Sequence, residues 1–333
     1  MVEAVFDVVG IGNAIVDVLA YADDDFLTNN SVEKGAMTLI DAERAEQLYQ
    51  KMTPVAEISG GSVANSVVGV ASLGGKAAYI GKVYNDSLGR VFQQDIRKAG
   101  VSFSTTPAES GLPTARCLIL VSPDAQRSMN TFLGASVDLG VEDIDPELIA
   151  SAKVTYLEGY LWDPPRAKQA FLKATEAAHQ AHRKVALSLS DSFCVNRHRD
   201  EFLNLAANHV DILFANEQEI LALYQTDQFS EALAAVRAHC DIAVLTRGAE
   251  GSVIAAGNDV HVVPAEPISR VIDTTGAGDL FAAGFLFGYT QGYPAGECAR
   301  IGALAAAEII SHVGARPETS LAELLREKGL LRV

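Results

Sequence analysis

The sequence is poor in the features that mark several large classes of protein. Its four cysteines, Cys117, Cys194, Cys240 and Cys298, are scattered without a CxxC pair, which argues against both a disulfide framework and a structural zinc site. Positive charge is scarce: 26 Lys and Arg stand against 42 Asp and Glu, a net charge of −16, with no basic run longer than a few residues. Nucleic acid and anionic membrane are therefore not expected as partners. The longest nearly apolar run, residues 280–289, is short of the roughly 20 residues that a spanning helix needs. Glu3 and Asp7 stand where a signal peptide would carry basic residues, so a cytoplasmic location is expected. No GxxxxGK[ST] occurs, which removes the P-loop as a phosphate device. Gly10 and Gly12 lack the third glycine of a dinucleotide fingerprint, because Ile15 occupies its place.

What is present is material for a large core. The chain has 333 residues, 49% of them hydrophobic, enough for one large α/β domain with an appendage. From VTYLEGY onward, buried-looking strands alternate with helices: KVALSLS, VDILFA and DIAVLTRG each follow or precede a helical stretch. That alternation predicts a mainly parallel sheet covered by helices on both faces. Two regions do not fit it. Short alternating pieces around a polar DDDFLTNNS linker, and a hairpin over residues 114–133 with Pro123 and Asp124 in its turn, predict a small satellite sheet.

The stretch DTTGAGD, residues 273–279, carries the strongest chemical signal. SRVIDT before it has the β-branched content of a strand, and LFAAGFLFGYTQG after it has the apolar density of a buried helix. Gly276, Ala277 and Gly278 therefore open a helix, where unpaired backbone N–H groups and the positive end of the macrodipole welcome an anion. Asp279 adds a carboxylate beside that anion hole. A carboxylate able to take a proton from a hydroxyl, next to donors that hold a phosphate, is the minimum equipment for phosphoryl transfer. A plain glycine-rich turn capped by an acid is the alternative.

Other positions also admit two readings. Asp17 is either a turn residue or an acceptor for a vicinal diol. Gly60 and Gly61, at a strand-to-helix junction, serve tight packing or else close approach to a ligand and hinge motion. Asn65 is a polar side chain one turn into a helix of small residues. Asn216 and Glu219 have the spacing of a capping box, and they also stand where two side chains at a strand end can hold the waters of Mg²⁺. TRGAEGS, residues 246–252, is a tight turn between strands. His179 and His182 are three apart, with no acid or cysteine nearby to complete a metal site.

With these pieces placed, the whole chain resembles the PfkB/ribokinase family of sugar and nucleoside kinases. The resemblance is carried by GGSVANSVVGVASLGGKAAYIGKVYNDSLG from Gly60 and by DTTGAGD with its helix. It implies a single ribokinase-like domain over residues 1–333, with a β lid inserted at about 14–40 and 112–134. It implies Asp279 as catalytic base and the amides of Gly276, Ala277 and Gly278 as the anion hole. Asp17 and Asn65 would bind substrate hydroxyls, Gly60 and Gly61 would form a hinge, and Asn216 with Glu219 would place Mg²⁺ and phosphate. Thr246, Arg247, Gly248 and Gly251 look like the nucleotide-side loop for ATP, which Gly278 also contacts. K⁺ would bind through Asp273 and Thr275, with the loop at residues 313–315 as partner. GNAIVDV and RSMNTFLGAS look most similar to adenosine kinases and their bacterial relatives. By that likeness Asn13 joins Asp17 at a ribose, while Met37, Leu39, Met129, Leu133 and Leu161 line an apolar slot for a purine with Trp162 nearby. Arg127 would face the phosphates. The expected activity is ATP-dependent phosphorylation of a primary hydroxyl, the 5′-hydroxyl of adenosine, with a sugar kinase as the alternative and a non-catalytic ligand sensor as a further one. The expected partners are small-molecule substrate and ATP alone, in a monomer or homodimer.

Overall fold

The structure, a computed structural model, describes residues 4–124 and 126–331. Ala125, in the expected hairpin turn, lies outside the described residues. Among the described residues a nine-stranded sheet runs in the spatial order Asp259–Val263, Ser252–Ala256, Ile242–Thr246, Ile212–Asn216, Lys184–Ser188, Ala152–Glu158, Phe6–Ile11, Ala77–Ile80, Val101–Phe103. Only the pairings that involve Ser252–Ala256 are antiparallel. The run of strands is mainly parallel, as the βα alternation requires.

Strand periodicity sends side chains to two separate cores, so the sheet must be covered twice. Along the first strand Val8 joins one apolar cluster, with the helices Ser62–Ser72, Ala277–Thr290 and Ala295–Ile309. Val9 and Ile11 join the other, with the helices Pro165–Gln180, Arg199–Asn208 and Glu217–Tyr224. The first three helices approach one another closely. A Cβ on Gly69 would come within 2.6 Å of the Ala283 Cβ, so glycine at 69 is what lets Ser62–Ser72 lie directly on Ala277–Thr290. That contact brings the glycine pair and the DTTGAGD turn to one place.

A second, five-stranded sheet has the order Met37–Leu39, Arg127–Phe132, Ala115–Val121, Ile15–Tyr21, Ala56–Gly60. The last of these strands falls outside the two stretches expected for the small sheet. Period 2 again divides the side chains. Val16, Val18, Leu118 and Leu120 point into the main core, whereas Ile15, Leu19, Cys117, Ile119 and Met129 form a small apolar cluster of their own on the opposite face.

Two local expectations are corrected. The polar DDDFLTNNS stretch is not a linker but carries a short helix, Asp24–Asn29, because Asp23 caps it by accepting from the Phe26 amide at 2.7 Å and Leu27 is buried beneath it. Residues 269–274 form no strand despite their β-branched content. Asp273 Oδ1 instead accepts from the Thr275 amide at 3.0 Å and the Thr275 hydroxyl at 2.7 Å, a local turn that competes with sheet pairing. No helix among the described residues is long and apolar enough to cross a membrane.

Candidate active site

The parallel strands deliver their carboxyl ends to one crevice, which is where ligands bind in open α/β sheets. Asn13, Glu158, Ser188, Asn216 and Thr246, each at or just past such an end, all line a cavity of about 650 Å³. The small sheet closes it from the other side with Ile15, Asp17, Met37, Leu39, Cys117, Ile119, Met129 and Thr131. Thr275, Gly276, Gly278 and Asp279 complete the wall.

Asp279 stands in the first turn of Ala277–Thr290, whose N-cap Gly276 has φ 79°. That left-handed conformation turns the chain sharply into the helix and would strain any other residue. Two side chains from the facing helix fix the carboxylate: the Ser62 hydroxyl donates to Oδ1 at 2.7 Å, and the Asn65 amide donates to Oδ2 at 2.8 Å. Each oxygen keeps one free lone pair. Loss of water around the group raises its pKa, against the pull of Ser62, Asn65 and the Arg316 cation. Among the described residues Asn65 Oδ1 is buried without a hydrogen-bond partner, an orphan that a ligand hydroxyl would satisfy.

Asp17 projects into the same cavity. Burial pushes its carboxyl up to about 6, with Arg316 and Arg127 opposing and Asp279 adding to the rise. Gly60 sits directly beside it: a Cβ there would fall 2.5 Å from Asp17 Oδ2. Gly60 thus makes room for the carboxylate without lining the cavity itself. Gly61 does line it, at φ 104°. Asn13 is anchored by Glu158, whose Oε1 accepts from the Asn13 side chain at 2.6 Å and whose Oε2 accepts from the Val63 amide at 3.0 Å. Burial pushes Glu158 to about 7, against those hydrogen bonds.

On the far side of the cavity Asn216 and Glu219 form a closed capping box. Asn216 Oδ1 accepts from the Glu219 amide at 2.9 Å, and the Glu219 carboxylate accepts from the Asn216 amide at 2.8 Å and its side chain at 2.6 Å. The structural reading of this pair therefore holds. Burial lifts Glu219 to about 7, with Asp191 adding to the rise. A hard divalent cation held through water fits here, because it would relieve the repulsion between the Glu219 and Asp191 carboxylates, both of which line the cavity.

Several expected residues lie elsewhere. Leu161 and Trp162 belong to the core between sheet and helices and do not line the cavity. The chain leaves its strand through a tight 3-10 turn, Gly159–Trp162, which turns Leu161 and Trp162 inward and presents Tyr160 to the cavity instead. Arg247 pairs with Glu217 and Glu250, each at 2.9 Å, and stacks over Phe229. Gly248 and Gly251 shape the 3-10 turn between two antiparallel strands next to Thr246. The Ala277 amide, expected in the anion hole, is not free for it: it donates to the Thr274 carbonyl at 3.2 Å, closing the turn that starts the helix, and Ala277 does not line the cavity. Arg127, expected at phosphates, has its side chain buried against Asp273 in an ion pair. Asp273 is in turn held by the Gly314 amide at 3.0 Å and by Thr275.

Sequence reasoning missed Ser62, Glu158, Tyr160, Phe193 and Arg316. Ser62 and Glu158 carried a signal, since each follows or ends an element that feeds the crevice. So did Tyr160 and Phe193, aromatic residues just beyond strand ends; Phe193 lines the cavity while 75% exposed. Arg316 had none. Its guanidinium donates to the Ser59 carbonyl at 3.0 Å through Nε and to the Ala64 carbonyl at 3.0 Å through Nη1, strapping the glycine-pair junction from 252 and 257 residues away in the chain.

Comparison with known proteins agrees with this architecture. The model of the pfkB family carbohydrate kinases matches residues 30–321. The adenosine kinase of Sinorhizobium meliloti is 54% identical, with a TM-score of 0.90 over 98% of this chain and 100% of that one. A probable sugar kinase protein from Rhizobium etli is also 54% identical, with a TM-score of 0.91 over 99% of this chain and 100% of that one. The adenosine kinase of Saccharomyces cerevisiae is 26% identical over 327 residues, 91% of this chain and 94% of its own length.

Proposed function

The chain belongs to the pfkB family of carbohydrate kinases, and on that premise we propose that it transfers the γ-phosphoryl group of ATP to the 5′-hydroxyl of adenosine, giving AMP and ADP. Asp279 takes the proton of the 5′-hydroxyl. The alkoxide oxygen bonds to the γ-phosphorus as the bond from that phosphorus to the β–γ bridging oxygen breaks, and ADP leaves with the electron pair. The amides of Gly276 and Gly278, which line the cavity, receive the charge spread over the phosphoryl oxygens during transfer. Ser62 and Asn65 hold the Asp279 carboxylate in place for this step. Asp17 and Asn13 take the ribose diol, and Asn65 Oδ1 takes a hydroxyl as its missing partner.

Asn216 and Glu219 would hold Mg²⁺ through water, and the ion would supply charge neutralisation on the phosphates. Thr246 and the turn at 248–251 flank the nucleotide beside them. K⁺ has no part in this reading, because the Asp273 carboxylate already receives four donors.

The single observation that favours a nucleoside over a sugar is the apolar roof. Met37, Leu39, Met129 and Leu133 line the side of the cavity opposite the strand ends, and Tyr160 and Phe193 bring two rings to the same space. A monosaccharide would leave hydroxyls against this surface unpaired, at roughly 1–3 kcal/mol each. A flat purine gains there, since thioethers adapt to its outline and contribute ~0.3–1.5 kcal/mol per sulfur–aromatic contact. The test is a panel of nucleosides and monosaccharides with Mg-ATP, scored by ADP release. Adenosine is expected to show the highest kcat/KM; efficient turnover of ribose or fructose with poor turnover of adenosine would assign a sugar kinase instead.

A further inference from the structure

The Asp273 carboxylate is saturated. An ionised carboxylate offers about four lone-pair positions, and four donors meet this one: the Thr275 amide at 3.0 Å and hydroxyl at 2.7 Å on Oδ1, the Gly314 amide at 3.0 Å and the Arg127 guanidinium on Oδ2. The Arg127 and Asp273 side chains are each 9% exposed. Burial works against the charge on Asp273, but the Gly314 and Thr275 donors and the Arg127 cation outweigh it and hold its pKa below the usual range. A monovalent metal ion could reach this carboxylate only by displacing Arg127, so the residues present do not fit the K⁺ that the family resemblance implies.

The pair also joins three pieces of the site. Arg127 opens the small-sheet strand Arg127–Phe132, which carries Met129 and Thr131 into the cavity. Asp273 fixes Thr275, one residue before Gly276. Gly314 belongs to the loop whose Ala315 packs against Gly276, near enough that a Cβ on Gly276 would come 3.1 Å from the Ala315 Cβ.

We propose that the Arg127 guanidinium is the built-in cation of this site: it takes the place of a monovalent metal ion on Asp273 and so holds the anion-hole turn and the apolar roof in register. The inference rests on the kinase reading for its catalytic consequence, while the cation site itself does not depend on which substrate is used. Arginine suits the role because it stays charged at every working pH and keeps a fixed fork of donors. Arg127 acts through Asp273 and is thus a positioning residue.

The test compares the native enzyme with Arg127→Met and Arg127→Lys in tetramethylammonium, Na⁺ and K⁺ chlorides at constant ionic strength. The native rate is expected to be the same in all three salts. Arg127→Met in tetramethylammonium should lose about tenfold in kcat, the scale of one charge-assisted positioning contact, and K⁺ should restore several-fold of it. Arg127→Lys should stay independent of the salt. Thermal unfolding without substrate gives a second readout: K⁺ should raise the Tm of Arg127→Met and leave the native Tm unchanged. A native enzyme activated several-fold by K⁺ would overturn the proposal, as would an Arg127→Met enzyme that K⁺ neither reactivates nor stabilises. If no panel substrate is turned over, the kinase reading fails, and the unfolding comparison still decides the cation site.

Discussion

The Asn65 amide nitrogen lies 2.8 Å from Asp279 Oδ2, although 214 residues separate the two in the chain. Asn65 comes from the helix after the glycine pair and Asp279 from the helix after DTTGAGD, so this hydrogen bond is where the two most specific motifs meet. It immobilises the carboxylate on one side and leaves Asn65 Oδ1 without a partner on the other. A side chain that both orients a carboxylate and offers a vacant acceptor suits the place that the proposed reaction gives it, between Asp279 and the substrate.

Gly60→Ala tests the substrate floor. Its new Cβ would stand 2.5–2.7 Å from the three terminal atoms of Asp17, and the carboxylate would have to swing away. Charge-assisted hydrogen bonds contribute ~1.5–3 kcal/mol, so KM for adenosine is expected to rise roughly ten- to a hundredfold. The kcat should change far less. Steady-state kinetics of the variant check this, with Tm as a control that the fold survives.

Arg316→Met should change the pH profile. The Arg316 cation lowers the pKa of both Asp17 and Asp279, which burial raises. Without it both carboxylates hold their protons to higher pH, and a protonated Asp279 cannot accept the substrate proton. The acid limb of kcat/KM, which reports the free enzyme's ionisation, is therefore expected to move to higher pH, and Arg316→Lys to move it back. An unchanged limb in Arg316→Met would show that the cation acts only as a strap on Ser59 and Ala64.

Met129→Asp tests the apolar roof. It replaces a thioether on the cavity face of the small sheet by a carboxylate, which is costly to desolvate against a purine. The kcat/KM for adenosine is expected to fall by at least about tenfold more than that for ribose. Equal losses on the two substrates would mean that the roof does not contact the base.

How far the sequence revealed this site depends on how local each signal is. The turn at 273–279, the glycine pair and the alternation of strands and helices are written in contiguous residues, and the structure shows the elements they imply. Phase across a turn is harder to read. The 3-10 turn Gly159–Trp162 exchanges Leu161 and Trp162 for Tyr160, because three residues per turn redirect the side chains from the strand's alternation. Composition misled at 269–274, where β-branched residues lie in a loop whose hydrogen bonds run to the Ile310 carbonyl, at 2.8 Å from the Ile272 amide. Arg316 and the Arg127–Asp273 pair were illegible for another reason. Their partners are backbone carbonyls and a carboxylate more than a hundred residues away, and only the folded chain places them.

Turnover of Asp279→Asn with adenosine and Mg-ATP decides whether this carboxylate takes the substrate proton. Asparagine keeps the size of the side chain and can still pair with Ser62 or Asn65, but it cannot take the proton of the 5′-hydroxyl. The kcat is predicted to fall by at least ~10²-fold, the usual scale for a lost general base, with adenosine bound nearly as well as by the native enzyme. Turnover close to that of the native enzyme would contradict the account, because it would take Asp279 out of the reaction.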